Sequence, residues 1–196
     1  MPKIVDHEAR RREIVEAMWR IVARDGFAAV SVRSVAAEAG LSKATISHYF
    51  AKQSDLLVQA VEENIASVTD QLVELDLDHC TAEVVEEAMM IAIPTTAQRR
   101  REAQVWLALL SRHNLDPEST RALTHLNVTV RVGIMVVLRA MKAQGLMAPD
   151  RDILVECART HALVDGLSLQ TLTDPGLMPA GQIRRLVRAH VADLAR

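Results

Sequence analysis

Residues 31–50, SVRSVAAEAGLSKATISHYF, constrain the fold more than any other stretch of the chain. Two short helical segments meet at a glycine. Val32, Val35 and Ala36 make an apolar face on the first. Gly40 supplies the left-handed residue that ends a helix, and Ser42 stands at the N-cap of the next. From there Lys43, Ala44, Thr45, Ser47 and His48 face one way, while Ile46 and Phe50 face the other at helical spacing. The outer side is slim and can form hydrogen bonds. The inner side is apolar enough to lock the second helix onto the first. A helix-turn-helix is built this way, and its second helix enters the major groove of duplex DNA.

Elsewhere strand-like alternation is absent and breakers recur at helical intervals. The spacing predicts a helix over 8–24 closed by Asp25-Gly26, a second from Ser31 to Ala39, a third over 43–50 and a fourth over 53–75. Thr81 opens a fifth that Pro94 ends, and a sixth covers 96–112. A seventh has Pro117 at its first position and runs to Gly145. An eighth runs from Asp150 or Asp152 to 172, and a ninth from 182 to the C-terminus. The expected class is all-α, about nine helices in two modules: a three-helix helix-turn-helix domain over 1–52 and a larger bundle over 53–196. Stretches such as 128–141 and 158–172 are apolar enough to be buried on more than one face. A second subunit would cover the extra face of the eighth helix.

Net charge is −2, which excludes a generally basic nucleic-acid binder. Its distribution matters more, with +2 over 1–60 and −4 over 61–196, so only the first third attracts phosphates. Arg10, Arg11 and Arg12, with Arg33, Lys43 and Lys52, are expected to make a local positive face there. Four of the five Trp, Tyr and Phe residues lie within the first fifty positions, too few for a single-strand stacking platform. Two cysteines, Cys80 and Cys157, make no disulfide framework, and the N-terminal segment lacks a signal-peptide apolar region. No apolar run approaches the roughly 18 residues of a membrane span. A reduced, cytoplasmic protein without a membrane role is expected. His161 and Asp165 share a helix face, but no further ligand at suitable spacing makes a metal site. No nucleophile elbow, phosphate-binding glycine loop, H-x-x-x-H pair or CxxC supports an enzyme.

Residues 8–60 resemble the tetracycline-repressor (TetR) family of bacterial transcription regulators. The resemblance rests on Gly26-Phe27, Ser31-Val32, Val35-Ala36, Ala39-Gly40-Leu41-Ser42, Thr45-Ile46, Tyr49-Phe50 and Leu56-Leu57. Ile46-Ser47-His48-Tyr49-Phe50, with Val105-Trp106-Leu107-Ala108 and Ala162-Leu163-Val164-Asp165-Gly166-Leu167, is similar to the branch of choline-responsive repressors of betaine synthesis. The resemblance implies an all-helical homodimer that binds a palindromic double-stranded operator and lets go when a small molecule occupies the larger module. No cofactor is implied. A quaternary ammonium site wants an aromatic cage. Past residue 50 the chain offers only Trp106, so choline itself is not carried over.

Within that frame Lys43, Thr45, Ser47 and His48 are the candidate base and phosphate readers, beside Ala44. Tyr49 is expected to hold a phosphate, and Ser31, Arg33, Ser42 and Lys52 to grip the backbone nearby. The effector candidates are Trp106, His113, Met89, Met90, Thr129 and Asp165, on the reasoning that such sites lie between helices and are mostly apolar. The dimer seam is expected from the eighth and ninth helices, with Ile183, Leu186, Val187, His190, Val191 and Leu194 on the seam side of the ninth. Two other classes stay open: a helical dimeric adaptor without DNA binding, and a helical enzyme of unknown reaction.

Overall fold

The computed structural model describes residues 7–111 and 117–196. Among them are nine α-helices and no strand: α1 (His7–Asp25), α2 (Val32–Glu38), α3 (Lys43–Tyr49), α4 (Gln53–Val73), α5 (Ala82–Ala92), α6 (Ala97–Leu110), α7 (Pro117–Ala143), α8 (Ile153–Thr173) and α9 (Ala180–Leu194). The expected all-α class holds. A 3-10 turn over Phe27–Ala29 had no counterpart in the sequence pattern; Gly26, at φ 79°, turns the chain into it. The last helix starts at Ala180 rather than 182, because Pro179 takes the N-cap and its carbonyl accepts from the Gln182 and Ile183 amides at 2.8 and 3.1 Å. α7 is long and apolar enough to cross a membrane by length and composition, which counting uninterrupted apolar runs had not revealed.

The chain divides into two compact units, one of residues 1–63 and 104–123, the other of 64–103 and 124–196. The division falls inside α4, α6 and α7. The first unit therefore holds more than a three-helix module, since it takes in the first half of α4, the second half of α6 and the start of α7. Its buried side chains include Ile14, Met18 and Ile21 from α1, Val35 from α2, Ile46 from α3, Leu56 and Leu57 from α4, and Val105 and Leu109 from α6.

The second unit has its own core, which includes Val85, Met89 and Ile93 of α5, Leu138 and Met141 of α7, Val164 and Leu167 of α8, and Ile183, Val187, Val191 and Leu194 of α9. Of the side chains expected on the seam side of α9, Ile183, Val187, Val191 and Leu194 are buried inside the chain's own unit, because α9 lies against α5, whereas Leu186 and His190 are half-buried. What α9 turns outward is Arg184, Arg185, Arg188, Ala189 and Ala192. Two of these arginines close over buried Glu86 of α5, with Arg184 Nη1 at 2.8 Å and Arg188 Nε at 3.0 Å. The arginines hold the Glu86 carboxyl below its ordinary range against the opposing effect of burial.

Candidate nucleic-acid interface

The turn between α2 and α3 is made by Gly40 at φ 65°. The Leu41 amide bonds the Ala36 carbonyl at 2.9 Å and the Gly40 amide bonds Ala37 at 3.3 Å, a Schellman closure that needs the left-handed residue. Both helices start on serine caps. Ser31 Oγ accepts from the Ser34 amide at 3.0 Å, and the Ser31 amide donates to Ser34 Oγ at 2.9 Å, a reciprocal box. Ser42 Oγ accepts from the Thr45 amide at 3.0 Å and shares a 2.8 Å hydrogen bond with Thr45 Oγ1. Replacing Ser42 with alanine should cost about 1 kcal/mol of first-unit stability, and with glycine a few tenths, in urea unfolding.

The two sides of α3 separate as the spacing requires. Ile46 and Phe50 are fully buried, while Lys43, Ala44, Ser47 and His48 are exposed and Thr45 and Tyr49 half-buried. With Thr45 Oγ1 engaged by Ser42, the row open to a ligand is Lys43, the Ala44 methyl, Ser47 and His48. Ser31, Arg33, Ser42 and Lys52 are all exposed. The Lys52 amide donates to Asp55 Oδ2 at 2.9 Å, ahead of α4.

The arginines of α1 do not make the joint positive face expected from sequence. Arg10 pairs with Glu13 at 2.6 Å. Arg11 turns inward: its guanidinium lies 4.6 Å from the Phe50 ring centroid, and it donates to the Tyr49 carbonyl at 3.4 Å and to Gln59 Oε1 at 3.0 Å. Arg20 and Arg24 meet Glu38 of α2 at 3.0 and 2.9 Å. Arg11, Arg20 and Arg24 thus brace α2 and α3 from α1, while Arg12 of α1 is exposed, as are Arg33, Lys43 and Lys52.

Sequence reasoning missed three parts of this region. Gln53 Nε2 donates to the Val30 carbonyl at 2.6 Å and so ties α4 to the segment that opens α2. Arg11 is a brace, and only its spacing to Phe50 in three dimensions reveals it. His7 stacks on the end of α3, with its ring 5.6 Å from Tyr49 and 6.3 Å from His48.

Residues 14–60 match the model for the bacterial regulatory proteins of the tetR family. Residues 81–196, more than half of the chain, match the model for the C-terminal part of BetI-type transcriptional repressors. The chain belongs to the TetR family. Among its relatives, the HTH-type transcriptional regulator PksA of Bacillus subtilis is 32% identical over 99% of this chain and 94% of its own. The regulator BetI of Rhizobium meliloti is 27% identical over 87% and 81%. A transcriptional regulator from Saccharomonospora viridis, solved in complex with choline, superposes with a TM-score of 0.71 at 29% identity, covering 95% of each chain. A Rhodococcus regulator shares the fold with a TM-score of 0.79 at 24% identity, over 94% and 95%. This TetR protein is thus a transcriptional regulator and not an enzyme, and α2 and α3 are its helix-turn-helix.

The effector candidates are distributed rather than gathered. Met89 and Met90 are buried in the core of the second unit, where Thr129 and Asp165 are half-buried on α7 and α8. Burial pushes the Asp165 carboxyl up, and His161, with Nε2 at 3.6 Å from Asp165 Oδ2, pulls it partly back. Trp106 falls in the first unit. Its neighbours Leu107 and Ala108 line an open depression there with Phe27, Val30 and Gln53. His113 lies outside the described residues. Among the described residues no cluster of three or more metal-ligating side chains occurs.

Proposed function

We propose that this TetR regulator is a ligand-released repressor: a homodimer that sets two α3 helices into successive major grooves of a palindromic operator. The observation that supports this most is the exposed row of Lys43, Ala44, Ser47 and His48 above buried Ile46 and Phe50. Lysine favours guanine or phosphate, serine bonds either edge type, and the Ala44 methyl suits a thymine methyl. Thr45 is shared between this role and its cap. Tyr49, Ser31, Arg33, Ser42 and Lys52 act on the backbone and set the register. A gel shift with DNA from upstream of its own gene tests the reading, with Lys43→Ala and Tyr49→Phe as weakened controls. A non-DNA-binding adaptor gives no shift in any of the three.

Residues 1–52 serve DNA and 53–196 serve the effector and the dimer, in a cytoplasmic protein. The second unit holds the effector. Asp165 and Thr129 supply placed polar groups, and Met89 and Met90 an adaptable wall; Trp106 and His113 stay as further candidates. Binding shifts the population toward a dimer whose α3 helices no longer match grooves about 34 Å apart. Since α4, α6 and α7 each continue from one unit into the other, all three transmit the shift.

The dimer seam is assigned to α8, with α7 beside it and the outer alanines of α9. On α8, Leu154, Val155 and Leu169 are exposed, as are Ala158 and Ala162 between them. On α7, Val128, Val132 and Val136 are 54%, 57% and 47% exposed at four-residue spacing, too large an apolar stripe to leave in water. Cys157 Sγ reaches the Arg131 carbonyl at 3.6 Å, so α7 and α8 are neighbours here. Ala162→Glu and Val132→Glu should therefore convert dimer to monomer in analytical ultracentrifugation and weaken operator binding with it. A dimer of undiminished strength in both variants contradicts this seam.

A further inference from the structure

We propose that His7, His48 and Tyr49 form one phosphate cradle, in which His7 is a DNA-backbone ligand supplied from outside the helix-turn-helix. The proposal rests on the DNA-binding reading above. Each ring touches the other two: His7 to Tyr49 at 5.6 Å, His7 to His48 at 6.3 Å, and His48 edge-on to Tyr49 at 5.2 Å. Both imidazoles are exposed and the phenol is half-buried. Among the described residues no hydrogen-bond partner meets the imidazole nitrogens of His7 and His48 or the Tyr49 hydroxyl. Two imidazoles and a phenol thus sit together in one patch at the end of α3, each able to donate to an anion.

The placement of His7 is braced. Arg11 follows it by four residues on the same face of α1. It is fastened to the Tyr49 carbonyl, to Gln59 and over Phe50, which holds the first turn of α1 against the end of α3. Arg11 also puts a fixed positive charge behind the cradle. Donors of this kind around a cation suit a phosphate oxygen, and imidazole bonds to an anion gain most when the ring is charged. The cradle takes in His48 at the end of the exposed row, where three rings are too bulky to face bases as the slim stretch Lys43–Ser47 does, so His48 is the row's phosphate contact. In this class of motif the first helix crosses the sugar-phosphate backbone. His7 thereby extends the footprint by one phosphate per subunit.

The test uses the intact protein with 3-fluorotyrosine at its single tyrosine position. Binding is titrated against a duplex from upstream of its own gene and an unrelated duplex of equal length, from about 50 mM salt upward. His7→Ala should weaken both duplexes by a similar factor, about tenfold or more for one lost contact on each of two subunits. His7→Arg should restore binding, whereas His7→Phe, which keeps a ring on Tyr49, should not. The fluorine resonance of Tyr49 should move when wild type binds DNA. Wild-type affinity in His7→Ala, rescue by His7→Phe, or an unmoved resonance in a bound complex overturns the cradle alone. A wild type that binds neither duplex overturns the underlying DNA-binding reading as well.

Discussion

Phe50→Ala is expected to destabilise the first unit by about 3–5 kcal/mol, the range for deleting a fully buried phenylalanine ring. Phe50 has no exposed surface, closes α3 through a 2.8 Å bond from its amide to the Ile46 carbonyl, and carries the Arg11 guanidinium on its ring. Truncation leaves the backbone bond in place but removes two supports of the recognition helix at one site: the buried ring's packing and the surface under the half-buried Arg11 guanidinium. Phe50→Leu keeps most of the volume and should cost under about 1.5 kcal/mol. Both tryptophans, Trp19 and Trp106, lie in the first unit, so their fluorescence follows this unit alone while far-ultraviolet circular dichroism follows every helix. The fluorescence transition in urea should move to lower denaturant in Phe50→Ala. A shift worth less than about 1 kcal/mol would mean that α3 is not held by its inner face.

Ala44→Glu is expected to abolish operator binding, by at least about a hundredfold at low salt, without lowering stability. Ala44 is exposed at the second position of α3, so a longer side chain meets no core atom. A carboxylate in the first turn of a helix is favourable to the helix itself. Against DNA the same change sets one negative charge per subunit, and a wider side chain, into the place proposed for the groove floor. Unfolding and binding are thereby decoupled: unchanged urea and thermal midpoints with lost binding support the interface, whereas unchanged binding removes α3 from it. Ala44→Ser, small and uncharged, should keep affinity within a few-fold.

Much of this architecture was legible in the sequence, because the signals were local. Gly40 and Gly145 mark helix ends through their backbone freedom, and both adopt positive φ where expected. Ser31, Ser42 and Thr81 read as helix starts because the cap bond spans two or three residues, and of Asp150 and Asp152, both open from sequence, the structure caps α8 with Asp152. The inward face of α3 follows from spacing alone. What was not legible depends on which helix meets which. The stripe on α9 was read correctly as apolar, but periodicity does not say whether its partner is a second subunit or α5 of the same chain. Arg10, Arg11 and Arg12 look alike in sequence, yet Glu13 neutralises the first and Phe50 and Gln59 engage the second. The grouping of α6 residues 104–110 with the DNA-binding helices is a long-range fact with no local signal. Aromatic content pointed to the first fifty residues; histidine at position 7 escaped notice because its meaning lies in Tyr49, far along the chain.

The account turns on the polar side of α3 entering a major groove, and dimethyl sulfate probing measures that most directly. The reagent marks guanine N7 in the major groove and adenine N3 in the minor groove. The intact protein on its operator should protect guanine N7 at two positions about one helical turn apart, and adenine N3 should stay reactive between them. Protection should vanish with Ala44→Glu. A bound complex that leaves every guanine N7 reactive, or that shields only adenine N3, would contradict it.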